Sequence, residues 1–68
     1  MVSKLDQTIQ DTIQVHLTIH GPQTVPNTRQ YILNLVQGSR VEDINAAIVD
    51  LICANKLTTD NVGKLKVV

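Results

Sequence analysis

From Thr12 to His20 apolar and polar residues alternate. Ile13, Val15, Leu17 and Ile19 fall on one side of an extended chain, and Thr12, Gln14, His16, Thr18 and His20 on the other. A period of two predicts a half-buried strand. Gly21-Pro22 ends it and Pro26-Asn27 prolongs the break, as in a hairpin with a loose connection. Residues 1–11 are mostly polar and show no clear period, so they are expected to be a flexible arm leading into the strand.

Residues 28–36 fit two patterns. As a strand, Tyr31, Leu33 and Leu35 share one face and Ile32, Asn34 and Val36 the other. As a helix, Asn27 is the N-cap and Gly38 lies just past the C-terminus. Period alone does not separate the two for a short apolar run, and a short helix is marginal without strong packing. The strand reading is adopted.

The next segment reads as a helix. Ser39 and Glu42 have the spacing of a capping box, and Glu42 and Asp43 put negative charge at the positive end of the helix dipole. Val41, Ile44, Ala47, Ile48, Leu51 and Ile52 form an apolar stripe at helical spacing, ending near Asn55-Lys56. Off that stripe, Ala46, Val49 and Cys53 line up as a second, narrow strip. They are either small residues on a solvated face or, with Ile32 and Val36 on the outer face of the preceding strand, an interface to another subunit. Leu57 to Asn61 reads as a polar connection and Gly63 as a turn. Lys64 to Val68 reads as a final strand with Leu65 and Val67 inward. The expected architecture is an α+β domain of ββαβ order over residues 12–68, an antiparallel sheet with one helix on one face.

Composition sharpens this picture. The chain has 68 residues, no Phe or Trp and one Tyr, so Ile, Val and Leu must fill the core. A chain of this size buries only about 60% of its unfolded surface, and such domains often gain stability from a second subunit. Cys53 is the only cysteine, which excludes an internal disulfide and fits a reducing compartment. No charged-then-apolar leader opens the sequence and no apolar run approaches the roughly 20 residues of a membrane span. A cytoplasmic, self-associating protein is expected. Six basic residues balance six acidic ones, which weakens a nucleic-acid reading because phosphate contacts favour a basic excess.

The chemistry is sparse. There is no P-loop, no G-x-G-x-x-G and no H-E-x-x-H. On a strand, His16 and His20 would lie about 13 Å apart, too far to share one ion, whereas on a helix the same spacing would chelate. With the strand reading, no metal is expected. Cys53 has no nearby base in the sequence, and Asp6, Asp11, Glu42, Asp43, Asp50 and Asp60 are scattered. No enzyme, catalytic residue or cofactor is expected. If residues 28–37 were helical, the order strand–helix–helix would resemble the ribbon–helix–helix repressors. Gln14, His16 and Thr18 would then face the major groove.

From Val41 onward, the stretch VEDINAAIVDLICANKLTTDNVGKL resembles a family of small uncharacterised proteins from Firmicutes. The resemblance rests on Glu42-Asp43, Ala46-Ala47, Leu51-Ile52, Asn55, Thr58-Thr59 and Gly63-Lys64-Leu65. The chain departs from the family pattern in its arm over residues 1–11 and in QGSR where an acidic loop is expected before the helix. The resemblance implies a fold of an extended pair, a helix and a C-terminal strand, and it implies no activity. The functional expectation is therefore a non-enzymatic interaction module that forms a homodimer and could take a protein partner. The alternative is a DNA-binding regulator.

Overall fold

A computed structural model describes residues 3–68. The elements run α1 (Lys4–His20), α2 (Val25–Leu35), α3 (Val41–Cys53), β1 (Leu57–Thr59) and β2 (Leu65–Val67). The expected ββαβ domain is overturned: three helices carry the structure, and the sheet is one short antiparallel hairpin. Met1 and Val2 of the expected arm lie outside the described residues, and residues 4–11 form the first half of α1.

The first expected strand is helical for identifiable reasons. Ser3 is the N-cap, its hydroxyl accepting from the Asp6 N–H at 3.1 Å, and Asp6 places a carboxylate in the first turn. Leu5, Ile9, Ile13 and Leu17 recur every fourth residue and turn inward, with His16 beside them. Ile13 and Leu17 share a face under either period. Val15 and Ile19, expected inward, are 56% and 70% exposed. Gly21 ends the helix at φ +77°, its N–H donating to the Leu17 carbonyl.

The strand expected at residues 28–36 is α2. Thr24, not Asn27, is its N-cap, and Pro26 sits in the first turn, where a missing N–H costs nothing. Thr28 and Ile32 are fully buried. The helix expected next is present as α3, with Ile44, Ala47, Ile48 and Leu51 buried as the stripe predicts, but Val41 and Ile52 stay partly exposed. The capping box does not form. Arg40 is the N-cap without a side-chain bond, and the Ser39 hydroxyl donates to the Val36 carbonyl at 2.7 Å. Helix α3 ends at Cys53, ahead of the expected Asn55-Lys56. Asn55 adopts φ +61°, so that its N–H reaches the Ile52 carbonyl and the Lys56 N–H the Leu51 carbonyl, a Schellman closure.

The expected polar connection after α3 contains β1. Strands β1 and β2 pair antiparallel in the register Leu57–Val67, Thr58–Lys66 and Thr59–Leu65. Asp60 closes the hairpin, its carboxylate accepting from the Val62 and Lys64 N–H groups, and Gly63 supplies φ +82°. The Lys64 N–H bond, and behind it that of Val62 and the charges of Lys64 and Lys66, hold the Asp60 carboxyl below its ordinary range. Leu57 and Leu65 point into the core, whereas Val67, expected inward, is 38% exposed. Leu65 is paired a second time. Its N–H and carbonyl both bond to Gln23, in the α1–α2 connection, at 2.7 and 3.0 Å. Helix α1 thus packs on α2, α3 and β2 around one core of branched aliphatic side chains.

The Thr28 hydroxyl is buried in this core without a hydrogen-bond partner. Thr28→Val removes that orphan group and keeps the shape and branching, so it should raise unfolding stability by about 1 kcal/mol in urea titrations. A clear loss would show that the hydroxyl has a partner after all.

Candidate functional site

Placing residues 12–20 on a helix rearranges every candidate group in that segment. Gln14, His16 and Thr18, which a strand would project from one face, point in different directions. Gln14 is half-buried, Thr18 is exposed with its hydroxyl on the Gln14 carbonyl, and His16 is 8% exposed. The ribbon of a ribbon–helix–helix protein is absent from these residues. His16 and His20, expected far apart, become neighbours one helical turn apart, with ring centroids at 4.9 Å.

Tyr31 from α2 completes this cluster. Its ring stacks on His16 at 3.9 Å with the planes 18° apart, and lies edge-on to His20 at 6.3 Å. The only aromatic residue of the chain and both of its histidines therefore meet at one place. Around them runs an open groove of about 310 Å³ between α1 and α2, bordered by Asp11 and Thr12 and floored by Val15, Ile19 and Leu35. Val15, Ile19 and Leu35 are more than half exposed and Tyr31 is 37% exposed.

The electrostatics of the groove centre on His16. Burial, and to a lesser degree the neighbouring His20, push its pKa below the ordinary value of 6.5. Its Nδ1 is buried with no hydrogen-bond partner. Two imidazoles are half of the four ligands a structural zinc takes, and the described residues contain no group of three or more His, Cys, Asp or Glu that could hold a metal ion.

The expected interface residues divide. Ala46, Val49 and Cys53 are exposed along α3, so the narrow strip is available at the surface. Ile32 is fully buried in the core because its segment is a helix and not a two-faced strand, and Val36, the C-cap of α2, is half-buried against that core. Val15, Ile19, Tyr31 and Leu35 were not foreseen as a set. The i, i+4 spacing of the histidines was the signal available, but it counts only once the segment is known to be helical.

A second surface is formed by α2, the turn at residues 36–40 and α3, followed by the hairpin. Arg29 of α2 donates to Asn45 of α3 at 3.3 Å, and Arg40 is exposed at the start of α3. Lys64 and Lys66 are exposed on the hairpin. Helix α3 carries Glu42, Asp43 and Asp50 and no cation. No family model matches the chain, and neither a curated protein nor a solved structure is significantly similar to it. No helix among the described residues is long and apolar enough to cross a membrane.

The low pKa of His16 sets a pH dependence. The unfolded chain takes up a proton near pH 6.5 that the folded protein resists, so unfolding binds protons below that pH. Stability should be level above about pH 7 and fall as the pH drops through 6.5 toward the native pKa. Melting temperatures from pH 8 to pH 5 should show this slope, and His16→Phe, which keeps the stack on Tyr31, should reduce it. An equal slope in that variant would assign the effect to other groups.

Proposed function

We propose that the chain is a non-enzymatic binding module that self-associates as a homodimer in a reducing, cytoplasmic setting. The observation that carries this reading is the cluster of exposed Val15, Ile19 and Leu35 with Tyr31 along one groove. Contiguous apolar patches on small proteins mark contact surfaces, and aromatic anchors in them carry much of the binding energy. A second copy is a fitting occupant because a core built without Phe or Trp in so short a chain gains from further apolar burial. The α3 strip of Ala46, Val49 and Cys53 offers a smaller surface for a further protein partner.

A second reading, a DNA-binding regulator, is favoured by the element order. Helices α2 and α3 around a glycine-containing turn make a helix–turn–helix, and the β1–β2 hairpin stands beside it as a wing. The bridge from Gln23 to the far edge of β2 completes the arrangement of a winged helix. In such a module α3 enters the major groove while Arg29, Arg40, Lys64 and Lys66 border the phosphates. The acidic face of α3 and the zero net charge oppose it, and fold alone does not assign function. The two readings are compatible, since a dimer would present two such modules.

Sedimentation over a concentration series should show a dimer, and Ile19→Glu with Leu35→Glu should leave the circular dichroism intact while weakening dimerisation by about tenfold or more. A monomer at high concentration would remove the self-association reading. Fluorescence anisotropy with mixed-sequence duplex DNA at low salt separates the second reading. Binding that weakens steeply with salt and is lost in the Arg40→Ala, Lys64→Ala, Lys66→Ala triple variant would support it, and no binding at low salt would eliminate it.

A further inference from the structure

We infer that His16 and His20 form an exchangeable binding site for a late first-row divalent metal ion. The site shares its groove with the proposed dimer contact but does not rest on that reading, because both imidazoles come from one chain. Two imidazoles one turn apart on a helix can take adjacent positions on one ion, which at metal–nitrogen distances of about 2.0–2.1 Å sets their nitrogens about 3 Å apart. The ring centroids lie at 4.9 Å, and His20 is exposed and free to turn toward its neighbour. His16 is fixed by burial and by the Tyr31 ring stacked on it, so only one of the two arms must be ordered on binding.

The chemistry of His16 suits a ligand. Its Nδ1 is buried and unpartnered and the residue lines the groove, so Nε2 is the nitrogen we assign to the ion. At pH 7.5 an ordinary imidazole is predominantly in its neutral, ligating form. The groove is open, leaving the remaining coordination positions to water or to donors from outside the chain. Ligating histidines in structural sites usually donate their second N–H to an acceptor, and His16 has none. That missing support, together with only two protein donors, makes the site exchangeable. Imidazole nitrogen and open coordination favour copper(II) over nickel(II) and zinc(II).

Tyr31 provides the readout, because the chain has no tryptophan and this ring touches His16. The Cys53→Ser chain, free of its exposed thiol, is titrated with copper(II) at pH 7.5 while tyrosine fluorescence is followed. The expected result is saturable quenching at one ion per chain, tighter than with nickel(II), together with a rise in melting temperature on adding nickel(II). His20→Ala is an exposed substitution and should keep the fold while abolishing both the saturable phase and the thermal shift. Acidification to pH 5 should release the ion. Non-saturating quenching, or quenching that His20→Ala leaves unchanged, would overturn the site. His16→Phe, which preserves the stack, is the second arm: saturable binding retained there would also overturn it.

Discussion

The structure depends on how α1 fills the space that larger side chains would occupy elsewhere. With no Phe or Trp available, Ile9, Ile13 and Leu17 meet Ile32 from α2, Ile44, Ile48 and Leu51 from α3, and Leu57 and Leu65 from the hairpin. Branched aliphatic chains have few rotamers and pack densely, so a core of many medium-sized pieces tolerates few gaps. Every other element reaches that core by way of α1 or α3. Removing the buried part of any one isoleucine would open a cavity worth about 2–5 kcal/mol, a large share of the stability of a domain this small.

That same helix explains the groove. A 17-residue helix packed on one side by α2, α3 and β2 must leave another side uncovered, and on this chain Val15 and Ile19 form an apolar strip there among the exposed Gln7, Thr8, Asp11 and Thr18. The rings of His16, His20 and Tyr31 sit at the boundary between the packed and the open sides. The two readings of that boundary, a protein contact and a metal site, thus arise from one feature: an apolar strip of α1 that the chain does not cover by itself.

How much of this was legible in the sequence follows from the periods involved. Helix α3 was, because Ile44, Ala47, Ile48 and Leu51 repeat only at helical spacing. Helix α1 was not, because Ile13 and Leu17 satisfy both a period of two and one of 3.6, and Val15 and Ile19 supplied an alternation that tertiary packing does not use. The deciding residues were Leu5 and Ile9, which continue the fourfold spacing backwards into a segment read as an arm, together with the cap at Ser3. In α2 the cap lay at Thr24, ahead of Pro26, so attention to Asn27 missed the true start. Strand β1 is too short to show a period. The ring cluster was hidden for the same reason as α1, since the distance between His16 and His20 is set wholly by whether the backbone coils.

The two-sided pairing of Leu65 gives the hairpin a mechanical character. One residue of β2 is hydrogen-bonded to the corner between α1 and α2, while its neighbours on the strand are laddered to β1. The hairpin is accordingly braced like a strut against the helices instead of hanging from α3 by its connection alone. Lys64 and Lys66 are then carried at a set span from the turn that bears Arg40, and any partner that touches both meets a preformed spacing and gives up little chain entropy in doing so.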